Sequence, residues 1–145
     1  MAEPSRITVP ATLESLGRLR AFAREAAERA GVDARRAYGL QLALDEIATN
    51  VVSYGYGSSR TDAVLGLRAE VSGGSLVVTL EDWGQPFDPR TRKLPGEEEL
   101  SRPLEEREPG GLGILLAIQG VDRFDYRRLG DRNETVFEVR IGEGR

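Results

Sequence analysis

The chain has no cysteine and no histidine in its 145 residues. Lack of cysteine excludes disulfides and metals held by thiolate. Lack of histidine excludes an imidazole base, phosphohistidine chemistry and zinc bound through ring nitrogen. Any metal used here is therefore a hard ion held by oxygen, magnesium first among them. Long apolar runs are missing too, and no stretch resembles a secretion signal. That predicts a cytoplasmic protein with no membrane partner. Basic blocks are also absent: the arginines are scattered, the net charge is −4 and the pI is about 5.0. An acidic chain of this kind is not expected to bind nucleic acid directly.

What is present describes an ordinary soluble domain. With 39% hydrophobic and 30% charged residues, the composition is that of a packed fold rather than a disordered segment. A chain of this length forms one domain, taken as residues 1–145, and buries enough surface to need no staples.

Local patterns order the elements. Arg6–Pro10 alternates as a short strand. Leu13–Ala30 is an amphipathic helix with Leu13, Leu16, Leu19, Phe22, Ala23, Ala26 and Ala30 on one stripe, closed by Gly31. Asp33 is placed to cap a second helix from Ala34 to about Ser53, which Gly55 and Gly57 stop. Ala63–Val71 and Leu76–Glu81 read as strands joined by a turn over Ser72–Ser75. Gly111–Gly120 reads as a short apolar helix, and Arg123–Leu129 with Glu134–Ile141 as a closing hairpin. Between them, Trp83–Glu108 carries Pro86, Pro89, Pro95, Pro103 and the run Glu97–Glu99, so it cannot be a strand. Its Arg90–Glu108 part is expected to be a lid, because few apolar anchors offset the entropy of ordering it. The fold class expected is α+β, a two-layer sandwich with helices on one face of a mainly antiparallel sheet.

Three short patterns carry chemistry. In Leu44–Tyr56 (LDEIATNVVSYGY), Glu46 and Asn50 lie one helical turn apart, on a face other than that of Ala37, Leu40, Leu44, Ile47 and Val51. The pair is either a solvated polar face or a base beside a metal ligand. Asp82 ends an apolar strand and is followed by Trp83 and Gly84. A carboxylate there can accept a hydrogen bond from an exocyclic amine such as that of adenine, though Asp-x-Gly by itself is more often an ordinary turn. Gly110, Gly111 and Gly113 precede a helix, where bare amides cradle phosphates or simply give a loop its freedom. Neither the dinucleotide glycine pattern nor the P-loop is present.

Taken in order, Glu46/Asn50, Asp82/Gly84 and Gly111/Gly113 resemble the three boxes of the Bergerat ATP-binding fold shared by gyrase, heat-shock chaperone, histidine kinase and MutL ATPases. Small size, DEIATN, DWGQPFDP and GGLGI make the chain most similar to the anti-sigma factor serine kinases of bacterial partner switching. The missing histidine and dimerisation hairpin argue against a sensor histidine kinase. The resemblance implies ATP and Mg2+ as cofactors, with Asn50 on the magnesium and Glu46 as general base. It implies Asp82 reading adenine, Gly84 packing beside it, Gly110, Gly111 and Gly113 lining the phosphates, and Thr135 near adenine. The implied activity is phosphorylation of a serine on a small antagonist protein by a kinase that otherwise sequesters a sigma factor; a homodimer is compatible with it. A regulatory binding module that responds to ATP without transferring phosphate is the alternative. Tyr54, where many relatives carry histidine, and the acidic, proline-rich lid depart from the family pattern.

Overall fold

In the computed structural model, residues 5–55, 63–86 and 117–141 are described. Their order is β1 (Ser5–Pro10), α1 (Leu16–Ala30), α2 (Ala34–Asn50), β2 (Val64–Ser72), β3 (Ser75–Asp82), β4 (Arg123–Leu129) and β5 (Arg132–Arg140). All five strands pair antiparallel in the order β1-β2-β3-β5-β4. The last hairpin therefore docks through its second strand, which sets β5 beside β3. This is the expected α+β sandwich, with α1 and α2 layered on one sheet face.

Alternation explains which face is covered. Leu65, Leu67 and Ala69 on β2, Leu76, Val78 and Leu80 on β3, and Phe137 and Val139 on β5 all point at the helices and are buried. Leu19, Ala23 and Ala26 of α1 and Leu40, Ala43, Leu44 and Ile47 of α2 complete that core. Phe124 meets Phe137 edge to face, with centroids 5.5 Å apart.

The helix ends follow the sequence. Gly31 takes φ +83°, and Val32 N–H reaches back to the Ala27 carbonyl at 3.0 Å, which closes α1. Asp33 caps α2 by accepting from Arg36 N–H at 2.9 Å. Three details differ from the sequence reading. Leu13 falls in a 3-10 turn over Leu13–Ser15, where the tighter winding takes it off the α1 stripe, and it is exposed. Regular α2 ends at Asn50, and Val51–Gly55 continues as a π-helical turn. Both hairpin turns are shorter than expected: Gly73 and Gly74, at φ +57° and +84°, make a two-residue turn with the primed twist that antiparallel strands favour. Between β4 and β5, only Gly130 and Asp131 intervene.

The uncovered sheet face is charged. Glu81 and Glu134 stand opposite one another on β3 and β5. Arg6 and Arg68 reach Glu81 at 3.0 and 2.9 Å, and Arg127 and Arg132 reach Glu134 at 2.8 and 3.2 Å. Burial pushes the Glu134 carboxyl up, but Arg127, Arg68 and Arg132 outweigh it and hold it below the usual range.

Candidate functional site

The α2 end of the site begins with the buried stripe. Leu44, Ile47 and Ala48 anchor the helix, which leaves Glu46 and Asn50 half-buried beside it. The Asn50 carboxamide nitrogen donates to Glu46 Oε2 at 3.0 Å and to the Glu46 carbonyl at 2.7 Å. With its nitrogen committed, Asn50 keeps Oδ1 as its remaining polar atom. That neutral, hard oxygen suits magnesium, so this end of the site fits the ion. Among the described residues there is no group of three or more acidic, histidine or cysteine side chains that could form a metal cage.

At the sheet end, Asp82 continues the core-facing row of β3 after Leu76, Val78 and Leu80, yet it is a carboxylate only 3% exposed. Its Oδ1 accepts from Gly84 N–H and from Asn133 Nδ2, both at 2.9 Å. The first bond is the Asx turn that Asp-x-Gly favours. The second crosses the sheet, because Asp82 and Asn133 are register partners on β3 and β5. Burial raises the Asp82 pKa above its ordinary value, and the bonds from Asn133 and Gly84 with the field of Arg128 only partly offset it.

Asn133, in turn, is held on both sides. Its nitrogen also approaches the carbonyls of Gln85 at 3.1 Å and Gly84 at 3.3 Å. Its oxygen accepts from the Tyr126 hydroxyl and from Arg128 Nη1 at 3.2 Å. Arg128 also donates to the Gly84 carbonyl at 2.9 Å. Thr135, one core-facing position further along β5, is buried and opposite Leu80.

The sequence-predicted residues are thus distributed as follows. Glu46 and Asn50 are in direct contact on α2. Asp82 and Gly84 share one turn, and Thr135 lies on the strand beside it. Helix α2 packs against β5, the strand that carries Asn133 and Thr135 on its helix-facing side. Gly110, Gly111, Gly113 and the lid at Arg90–Glu108 lie outside the described residues, as does most of the Gly111–Gly120 helix, of which 117–119 are helical. Sequence reasoning missed Asn133, Tyr126 and Arg128. They sit in the closing hairpin, about fifty residues from Asp82, and only strand pairing brings them to it; the polar Asn133 in an otherwise strand-like run was the available signal.

Comparison with known proteins identifies the family. Residues 9–139 match the family described as histidine kinase-like ATPase domain, and the chain belongs to that family. The serine-protein kinase RsbW of Halalkalibacterium halodurans is 29% identical over 126 residues, which covers 86% of this chain and 76% of that protein. The structure of the RsbU and RsbW domains of Rv1364c from Mycobacterium tuberculosis matches 99% of this chain, with a TM-score of 0.68 at 19% identity. The blue-light activated histidine kinase of Erythrobacter litoralis EL346 matches 91% of it, with a TM-score of 0.56 at 22% identity. This chain spans 34% and 42% of those two solved chains, and the likeness to them establishes the fold alone.

Proposed function

We propose that this histidine kinase-like ATPase domain is a protein-serine kinase that binds Mg-ATP, phosphorylates a serine of a small antagonist protein and otherwise sequesters a sigma factor. The observation that carries the reading is Asp82: a carboxylate left almost fully buried at a strand end, with only one oxygen engaged by the described residues. A fold keeps such a group, at a cost in desolvation, where a ligand donor completes it. An adenine amine is that donor, and guanine would set a carbonyl against the same oxygen.

Asn50 Oδ1 is the atom that would hold magnesium, with phosphate oxygens and water as the other ligands. Once bound, the ion neutralises charge on the phosphates. Glu46 lies one turn away and is the carboxylate available to orient and deprotonate a serine hydroxyl. Its bond from Asn50 holds the two side chains in one relative geometry, which is what phosphoryl transfer asks of a protein. Gly110, Gly111 and Gly113 are assigned to the phosphates from the sequence pattern, and Thr135 to the adenine side. The RsbW relative is a serine-protein kinase by name, which supports the same reaction.

The test is incubation with labelled ATP, magnesium and a candidate serine-bearing antagonist, followed by mapping of the label. Label on one serine, lost in Glu46→Gln, is the expected result. Nucleotide binding without transfer to any partner would replace the kinase with an ATP-responsive binding module.

A further inference from the structure

We propose that Asn133 is the positioning residue of the adenine site: a two-sided amide bridge that turns one oxygen of Asp82 toward the ligand and ties the Asp82–Gln85 turn to the closing hairpin. The inference rests on reading Asp82 as the adenine acceptor and adds the part of the chain that aims it.

The amide has only one workable orientation. On its nitrogen side are the Asp82 carboxylate and the carbonyls of Gly84 and Gln85, all of which only accept. On its oxygen side is the Arg128 guanidinium, which only donates, and the Tyr126 hydroxyl. A flipped amide would set oxygen against three acceptors, so the network itself assigns the two ends. Asn133 is 3% exposed, so a flip would also leave these groups without water to satisfy them.

This bridge decides how Asp82 presents itself. Two donors, the Gly84 N–H and Asn133 Nδ2, converge on Oδ1. Oδ2 takes no hydrogen bond from the described residues. A carboxylate pinned by one oxygen cannot rotate without losing both bonds, so its second oxygen is offered in a fixed direction. Arg128 extends the hold: it donates to the carbonyls of Gly84 and Gly130, each at 2.9 Å, and so fastens the turn after β3 to the turn after β4. The register pairing of Asp82 with Asn133 makes the bridge a property of the sheet rather than of a loop.

A purely structural role for Asn133 would lower affinity for every nucleotide alike. A positioning role acts on the amine contact alone. The measurement is therefore a calorimetric comparison of ATP with purine riboside triphosphate, which lacks the exocyclic amine, for wild type, Asn133→Ala and Arg128→Met. Wild type is expected to prefer ATP by at least about tenfold. In Asn133→Ala that ratio should fall to within about threefold of one, chiefly through lost ATP affinity. Arg128 is exposed, so its substitution leaves the core intact, and Arg128→Met should lower the ratio by about threefold. If Asn133→Ala does not fold, Arg128→Met decides alone. Variants that keep the wild-type ratio, even with weaker binding of both nucleotides, overturn the proposal and leave the adenine reading standing. A wild type that binds both nucleotides equally overturns the adenine reading and the positioning role with it.

Discussion

Asn50 donates to Glu46 twice, to the carboxylate at 3.0 Å and to the carbonyl of the same residue at 2.7 Å. The pair therefore separates into one oxygen available to a cation and one carboxylate available to a proton. Glu46→Gln preserves an oxygen that Asn50 can bond, and it removes only the basicity. It should leave Mg-ATP affinity within about threefold of wild type while phosphoryl transfer falls by about 10²–10⁴-fold. Single-turnover assays beside calorimetry check both halves, and normal transfer by Glu46→Gln would remove Glu46 as the base.

Asp82→Asn should separate stability from binding. A carboxyl with a raised folded pKa contributes most stability below its ordinary value of 3.8, and that contribution is lost as pH rises through the folded value. At neutral pH the ionised group is a burden that a neutral amide relieves, and the Asn oxygen can still accept from Gly84 and Asn133. The variant should therefore melt at the same temperature as wild type or higher at pH 7, and the advantage should vanish in acid. Its ATP affinity should drop roughly ten- to hundredfold, with the preference over GTP lost. A lower melting point at pH 7 contradicts the account of Asp82 burial.

Gly39 should not tolerate a methyl group. A Cβ there would stand 2.3 Å from the Gly120 carbonyl oxygen, a backbone atom that no rotamer change can move. Alanine is the better helix former by about 1 kcal/mol, yet the overlap should outweigh this and leave Gly39→Ala less stable by about 1–3 kcal/mol. Gly17→Ala is the control, because its nearest neighbour is the flexible Arg20 guanidinium at 3.8 Å. It should gain about 0.5–1 kcal/mol. Urea denaturation of both variants checks the contrast, and equal gains would refute the close approach of α2 to the 117–120 turn.

Glu134→Gln should weaken the uncovered sheet face in a pH-dependent way. The folded pKa of Glu134 is lowered, so its contribution is complete above the ordinary value of 4.5 and is lost as pH falls through the folded value. Arg127 is half exposed, and solvent screening reduces what the pair is worth. The variant should lose about 1–2 kcal/mol at pH 7, and the gap to wild type should close as acid protonates Glu134. A gap of constant size down to pH 3 would show that packing, not charge, is what the variant disturbs.

How far the sequence reached can be followed residue by residue. It determined the order of the described elements and the caps between them, because Gly31, Asp33, Gly73 and Gly74 act through their own backbone and nearest neighbours. It paired Glu46 with Asn50, because one helical turn is a local distance. It also marked Asp82, since a carboxylate closing an apolar strand is visible without a partner. Tertiary structure alone decided that the closing hairpin joins the sheet through β5, and hence that Asn133, Tyr126 and Arg128 meet Asp82. It alone decided that Gly39 must be bare, because the constraint comes from Gly120, which is distant in sequence and touches α2 only in the folded chain. Such contacts come from strand order and register, set by the burial of whole faces, and no short window of residues encodes that sum.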